Sequence, residues 1–220
     1  LPSLGDVEAL VPWADFLNHS PATSAFLNWD ETARAVTLRT DRAYKAGEQL
    51  FVSYGEKSNS ELLLSHGFVL GAGANPYDAV PLELGLSPED PLRLEKERAL
   101  AKYGLEPREV FPLRLDGVPA ALVPYQALVN EQRCKTSEDL ESVAQRLFGE
   151  VQKLEPERTI HAYKAILDQI QKAISDLEHG KSDESRVARC PLRREQADFV
   201  RRQEKRILER CGFFLREQLR

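Results

Sequence analysis

The chain has 220 residues, of which 42% are hydrophobic and 30% are charged, with a formal net charge of −5. This balance fits one large or two small domains with a hydrophobic core. The negative charge gives no reason to expect nucleic-acid binding. No run approaches the roughly 18 apolar residues of a membrane span, and residues 1–10 do not read as a signal peptide. The three cysteines, Cys134, Cys190 and Cys211, form no CxxC pair, which argues against structural zinc and a disulfide framework and fits a reducing compartment.

The first eighty residues are predicted to be rich in strands and turns. Short strands are expected at 26–29 and 35–39, with a polar turn between them, and the alternation over 49–53 predicts a third strand. A helix is predicted over 58–68, because Ser58 can serve as its N-cap and Gly67 stands at the expected C-cap position.

Beyond residue 80 the sequence predicts helices, and a domain boundary is expected near residues 80–86. The first helix is predicted to begin with Ser87 as its cap and to end at Gly104. The apolar, proline-punctuated segment 111–129 is predicted to be a short connection that leads into a buried helix.

Three more helices are predicted further along the chain. One is capped by Ser137, one runs from Pro156 to Gly180, and one begins near Pro191. The apolar residues of the second recur at steps of three and four, which places them on one stripe facing other helices: Ile160, Tyr163, Leu167, Ile170, Ile174 and Leu177. Positive charge is concentrated late in the chain, where it predicts a solvated helix face or, alternatively, a surface for an acidic partner: Arg186, Arg189, Arg193, Arg194, Arg201, Arg202, Lys205, Arg206 and Arg210.

Two segments carry the chemistry of the chain. The first reads Ala-Asp-Phe-Leu-Asn-His-Ser over 14–20, and the second reads Gly-Glu-Gln-Leu-Phe-Val-Ser-Tyr-Gly over 47–55. They are followed by Ser-Asn at 58–59 and His-Gly-Phe at 66–68. Alone, an Asn-His pair is typical of a capped turn and a Tyr-Gly pair of a strand end. In this order and at these intervals, they resemble the carboxy-terminal half of a SET methyltransferase domain.

The resemblance is to SET proteins of the Rubisco large-subunit lysine methyltransferase type. The helical half is similar to the substrate-binding domain of that family in Pro124-Tyr125, in its long helices and in the 178–195 stretch. The resemblance implies an α+β fold, with the β-rich carboxy-terminal part of a SET domain over residues 1–82 and an all-α helical domain over residues 83–220.

The resemblance also implies a site for S-adenosylmethionine and a role for each matching residue. Tyr54 matches the catalytic tyrosine of the family. Phe26 and Phe68 match aromatic positions that line the family's channel for the target side chain. Phe26 is explained equally well as a residue of the hydrophobic core. The residues that match cofactor contacts form two groups: Asp15, Phe16, Leu17, Asn18 and His19 in the first segment, and His66, Gly67 and Phe68 in the second.

A tyrosine suits this chemistry because its phenol, with an ordinary pKa of about 10, stays protonated at neutral pH. Tyr54 can therefore orient the methyl group and the incoming nitrogen without acting as a strong base. A target lysine must first lose its proton, and both burial and a nearby sulfonium charge lower the pKa of an amine.

Histone-directed SET domains usually place a cysteine after the Asn-His pair and a cysteine-rich zinc segment later, and differences from that pattern narrow the expected function. Ser20-Pro21 follows the Asn-His pair and no cysteine cluster follows Tyr54, so the chain resembles the branch that acts on proteins other than histones and needs no metal. We expect lysine methylation of a protein that docks on the helical domain, with no nucleic-acid or membrane partner. Protein-histidine methylation and a non-catalytic protein-binding module are the alternatives.

The family's glycine-rich strand for the methionine end of the cofactor precedes the Asn-His segment. The chain starts at Leu1 and contains no methionine, so the expectation is a fragment that is inactive alone. A chloroplast location is expected if the source is photosynthetic, and otherwise the cytoplasm or nucleus.

Overall fold

The computed structural model describes residues 10–149, 155–179 and 190–220. Within them, no helix is both long and apolar enough to cross a membrane. In chain order the elements are a 3₁₀ turn at Ala14–Phe16, β1 at Asn18–His19, β2 at Phe26–Asp30, β3 at Ala35–Arg39, β4 at Phe51–Val52, α1 at Asn59–His66, β5 at Val80–Gly85, α2 at Arg93–Ala101, β6 at Arg108–Leu113, α3 at Leu122–Val129, α4 at Ser137–Phe148, α5 at Pro156–His179 and α6 at Pro191–Glu217.

The amino-terminal part brings two distant segments side by side. β1 and β4 pair in parallel, with Asn18 opposite Phe51 and His19 opposite Val52. Parallel neighbours need a crossover between them, and here the antiparallel β2–β3 hairpin lies in that interval. The three predicted strands are confirmed, although the third shortens to two residues. The pairing places the Asn-His segment next to the residues that lead to Tyr54.

Helix α1 follows the caps that its sequence predicts. The Ser58 hydroxyl accepts a hydrogen bond from the Glu61 amide, and the Glu61 carboxylate accepts one from the Ser58 amide. Gly67 ends the helix with φ at +78°, a left-handed conformation in which a side chain would be strained. Its amide donates to the carbonyls of Leu62 and Leu63 at 3.0 and 3.1 Å.

The predicted helix from Ser87 to Gly104 and the predicted connection from residue 111 were wrong in their extents. α2 covers Arg93–Ala101 alone, and β5 and β6 pair on either side of it in an antiparallel sheet. Buried and exposed residues alternate along the whole of β5 and in the second half of β6, which is a strand period rather than a helix period. The sheet adds strands to the region expected to be all helical. β5 runs across the expected domain boundary at 82/83. The division into two domains at that point remains a prediction.

The helices of the second half share one core with this sheet. α3 is buried along nearly its whole length, and its Tyr125 hydroxyl donates to the carbonyls of Glu106 and Pro107 at 3.1 and 3.0 Å. Burial raises the pKa of Tyr125 to about 12. α3 therefore joins the sheet to the surrounding helices.

The long helices begin where the prolines predict. α5 begins at Pro156 and α6 at Pro191, while the predicted end at Gly180 lies outside the described residues. The buried face of α5 is rotated from the predicted stripe, since Ile160 is 42% exposed and Ile166 is buried. The N-cap of α4 is Thr136, one residue before the predicted cap Ser137.

Candidate functional site

The parallel β1–β4 pair sets the position of Tyr54. The Tyr54 amide donates to Nδ1 of His19 at 3.1 Å, and the Tyr54 hydroxyl donates to the carbonyl of Leu17 at 2.5 Å. The His19 and Tyr54 rings stack with centroids 5.1 Å apart. Backbone and side chain of Tyr54 are thus both fixed by the Asn-His segment.

Four rings from three segments form what we call the aromatic cluster: His19, Tyr54, His66 and Phe68. Ring centroids of Tyr54 and His66 are 4.6 Å apart, and those of Tyr54 and Phe68 are 6.4 Å apart. His19 and Phe68 are separated by 6.2 Å. The turn at Gly67 lies between two members of the cluster, so the end of α1 delivers both rings to the tyrosine.

His19 is the buried polar member of the cluster. Burial lowers its pKa, the Val52 carbonyl opposes this shift, and the charge of a protonated His66 adds to it. Because Nδ1 accepts from the Tyr54 amide, the proton of the neutral ring lies on Nε2. That atom is buried and has no hydrogen-bond partner in the described part of the chain. A buried donor without an acceptor is costly unless something else supplies one.

Three residues of the first segment present exposed side chains. Asp15 and Phe16 lie in the 3₁₀ turn, where the Phe16 ring is 69% exposed and meets Trp13 edge to face. Asn18 is exposed but its backbone belongs to β1. The segment thus offers mainly its backbone and the His19 ring to the cluster.

Comparison with known proteins identifies the family. A family model described as Rubisco LSMT substrate-binding matches residues 87–208, more than half of the chain, and a SET domain model matches residues 5–55. The chain belongs to the SET proteins of the Rubisco LSMT type. The family prediction is therefore confirmed.

Curated relatives are actin-histidine N-methyltransferases. The chain is 32% identical to the one from Canis lupus familiaris over 136 residues, which is 60% of this chain and 22% of the relative. It is also 32% identical to the one from Dasypus novemcinctus over 146 residues, or 64% and 23%. This SET-family chain spans about a fifth of the length of these relatives.

Solved structures of the family share the fold. A crystal structure of the SET domain of LSMT bound to lysine and AdoHcy aligns with a TM-score of 0.73 at 24% identity, over 96% of this chain and 50% of that one. Rubisco LSMT bound to AdoMet gives a TM-score of 0.73, 24% identity, and 95% and 50% coverage. The mixed α+β fold predicted from the sequence is confirmed.

The two residues expected to line the SET target channel have different surroundings. Phe68 lies in the aromatic cluster, whereas Phe26 lies on β2 with 48% of its surface exposed. Within the described residues, no ring contact joins Phe26 to the cluster. Its neighbour Ala25 does accept a hydrogen bond from the Ser53 amide at 3.2 Å, so the base of β2 adjoins Tyr54. The channel role of Phe26 remains a prediction.

Sequence reasoning missed the partner of Asn59. The amide and Nδ2 of Asn59 donate to the Asp78 carboxylate at 3.0 and 3.1 Å, and its Oδ1 accepts from the Leu70 amide at 2.8 Å. These bonds hold the start of α1 to the segment that follows Phe68. Asp78 stands in a loop with no local signal, so only the fold reveals it.

A separate cavity of about 700 Å³ lies in the helical region, between the end of α3 and the start of α5. Three ion pairs border it, one of which joins Arg133 and Glu157 at 2.8 Å. The Lys96 ammonium contacts the Asp90 carboxylate at 2.6 Å and the Val129 carbonyl at 2.8 Å, and Arg158 contacts Glu131 at 2.7 Å. Its lining residues are not members of the aromatic cluster, and their charges are largely paired with each other.

Proposed function

We propose that this chain contributes to the active site of an S-adenosylmethionine-dependent protein methyltransferase. The observation that carries the proposal is the aromatic cluster. It joins the Asn-His segment, Tyr54 and the His66–Phe68 turn, which are the three places where the family resemblance implies cofactor and catalytic residues. The match to a SET domain model supports the same reading.

The residues present fit the cofactor. His19 Nε2 is a buried donor that lacks an acceptor among the described residues, and its neighbours are flat rings suited to an aromatic ligand. The segments that would hold S-adenosylmethionine are 15–19 and 66–68. When bound, the cofactor supplies a methyl group on a sulfonium, which is open to attack by a neutral nitrogen.

Tyr54 acts by position in this proposal. Its hydroxyl donates its proton to the Leu17 carbonyl, so its lone pairs are free to accept a hydrogen bond from the N–H of a target side chain. Fixing the nitrogen in this way lowers the barrier by orientation. The rings of His66 and Phe68 exclude water beside it, and their faces can also hold a cationic amine.

The methylated residue of the substrate is either lysine or histidine. The sequence favours lysine, and solved fold neighbours are described as bound to lysine or its methylated forms. Those neighbours share less than a quarter of their residues with this chain. The 32% identity to actin-histidine N-methyltransferases gives histidine the stronger support. A histidine target is neutral at pH 7 without further help, whereas a lysine must first be deprotonated.

We further propose that the protein substrate docks on the helical region and is not a histone. The match of residues 87–208 to a substrate-binding family supports this docking. The division into two domains at 82/83 is also a proposal. So is the location, which we propose to be the chloroplast if the source is photosynthetic and otherwise the cytoplasm or nucleus.

The test is methylation of a cell extract by the full-length protein with labelled S-adenosylmethionine, followed by mass spectrometry of the labelled proteins. Tyr54→Phe should abolish most of the labelling. Tyr44→Phe is the matched control, because Tyr44 is not in the aromatic cluster and its hydroxyl donates to the exposed Asp41 carboxylate at 2.9 Å. Labelled methylhistidine supports the histidine target and methyllysine the lysine target. Failure of the full-length protein to bind the cofactor would leave the binding-module alternative.

A further inference from the structure

Helix α6 lies against α1 and approaches both of its ends. At one end, the Arg193 guanidinium lies beside Gly67, where an added Cβ would be 2.9 Å from Nη1 and 3.1 Å from Nη2. At the other end, Glu204 lies close enough to Ser60 for that hydroxyl to oppose the rise that burial causes in the Glu204 pKa. The order of these contacts makes the two helices antiparallel.

The two charges match the dipole of α1. A helix carries partial positive charge at its amino end and partial negative charge at its carboxyl end, where the last carbonyls lack partners. The acidic Glu204 is near the first turn and the cationic Arg193 is at the last. Gly67 makes the second contact possible, since it has no side chain between its backbone and the guanidinium.

Gly67 is adjacent in the chain to two members of the aromatic cluster. His66 and Phe68 are the residues on either side of Gly67, and their rings lie 4.6 and 6.4 Å from the ring of Tyr54. We therefore expect a change in the Gly67 turn to shift one or both rings. Arg193 itself lies within the segment that matches the substrate-binding family.

We propose that Arg193 is a positioning residue, which holds the Gly67 turn and thereby the His66 and Phe68 rings against Tyr54. The helical region then sets the geometry of the methyl-transfer site through one side chain. The effect on methyl transfer rests on the proposed function, whereas the effect on the turn does not.

The first experiment tests the turn without any cofactor. Hydrogen exchange of peptide 62–68 is compared in wild type, Arg193→Ala, Arg193→Lys and Arg194→Ala. Arg194→Ala is the matched control, because both arginines are exposed residues of the same helix and the side chain beside Gly67 is that of Arg193. We expect faster exchange in Arg193→Ala, partial recovery with lysine and no change in the control. Wild-type exchange in Arg193→Ala would overturn the proposal.

The second experiment tests the site in the full-length protein. We measure the initial rate of labelled methyl transfer to a cell extract, the Kd of S-adenosylhomocysteine and the thermal unfolding midpoint. Because small misplacements near reacting groups are expensive, Arg193→Ala should lower the rate about tenfold at an unchanged midpoint, and lysine should restore part of it. An unchanged rate overturns the coupling to the site. An inactive wild type contradicts the proposed function, and the exchange experiment then decides the role of Arg193.

Discussion

The two halves of the chain are stabilised in different ways. Of the described residues up to His66, the buried apolar side chains are those of Ala25, Val52 and Leu62, while the half beyond residue 80 shares one continuous core. Large apolar side chains are exposed in both halves, but they are denser in the shorter amino-terminal half, where they are: Leu10, Trp13, Phe16, Phe26, Leu27, Trp29, Val36 and Leu64. The half with the aromatic cluster thus has few buried apolar side chains beside its hydrogen bonds and ring contacts, and most buried apolar side chains lie in the helical half.

This contrast can be measured with two probes. Both tryptophans of the chain, Trp13 and Trp29, lie in the amino-terminal half, so their fluorescence reports on that half. Circular dichroism reports mainly on the helical half, where the long helices lie. We expect the fluorescence transition to come at lower urea than the helical transition. Coincident transitions would contradict the contrast.

The largest effect is expected from breaking the buried Lys96–Asp90 pair. Lys96 is fully buried, and Lys96→Met leaves the Asp90 carboxylate without its cation, which should cost about 3–5 kcal/mol of unfolding free energy. Lys102→Met is the control, because Lys102 pairs with Glu141 at the surface, where a pair is worth at most about 1 kcal/mol. Urea unfolding followed by circular dichroism measures both, and equal losses would refute the difference in burial.

A cavity in the core should cost nearly as much. Ile166 is fully buried on α5, so Ile166→Ala should lower the unfolding free energy by about 2–5 kcal/mol. Leu27→Ala, on the exposed β2–β3 hairpin, should change it by no more than about 0.5 kcal/mol. If the hairpin substitution destabilises the chain as much as the core substitution, the amino-terminal half holds more of the stability than we infer.

Tyr54→Phe should separate activity from stability. Loss of the hydroxyl removes one hydrogen bond to Leu17, worth about 1 kcal/mol. Methyl transfer by the full-length protein should fall on the order of 100-fold, because the group that positions the nitrogen is gone. Rate and fluorescence-detected unfolding are measured on the same preparation. A rate loss that is matched by global unfolding would assign Tyr54 a structural role instead.

The smallest effect is a pH dependence from His19. Its folded pKa lies below the ordinary 6.5, so the unfolded state takes up a proton more readily. The stability is therefore complete above about pH 7 and falls as the pH drops below about 6.5 toward the lower folded pKa. Fluorescence-detected unfolding across this range should show the loss in wild type and in the exposed-site control His179→Gln. His19→Gln should lack it, and an equal slope in that variant would refute the assignment.

How much the sequence predicts depends on the range of the interaction. The α1 caps were predicted because Ser58 and Gly67 act within one turn of the helix ends that they cap. The β5–β6 sheet was missed because strand pairing joins residues across α2. A proline opposite a proline, Pro81 and Pro112, also reads as a break rather than a strand.

The site shows the same division. Tyr54, His19 and Phe68 were predicted through the family resemblance, and the fold brings their rings together. Neither Asp78 nor Arg193 could be predicted, because each acts on a residue far away in the chain. Phe26 shares the predicted hairpin, but its exposure depends on how the hairpin packs, which no local pattern determines.

The most direct test of the central claim is to map where the cofactor binds. Ultraviolet crosslinking of radiolabelled S-adenosylmethionine to the full-length protein, with peptide mapping by mass spectrometry, compares the two regions in one measurement. We predict that the labelled peptides of this chain contain residues 14–20 or 66–68, the two segments that would hold the cofactor. Label confined to residues 130–133 and 157–161, beside the cavity of the helical region, would contradict the account.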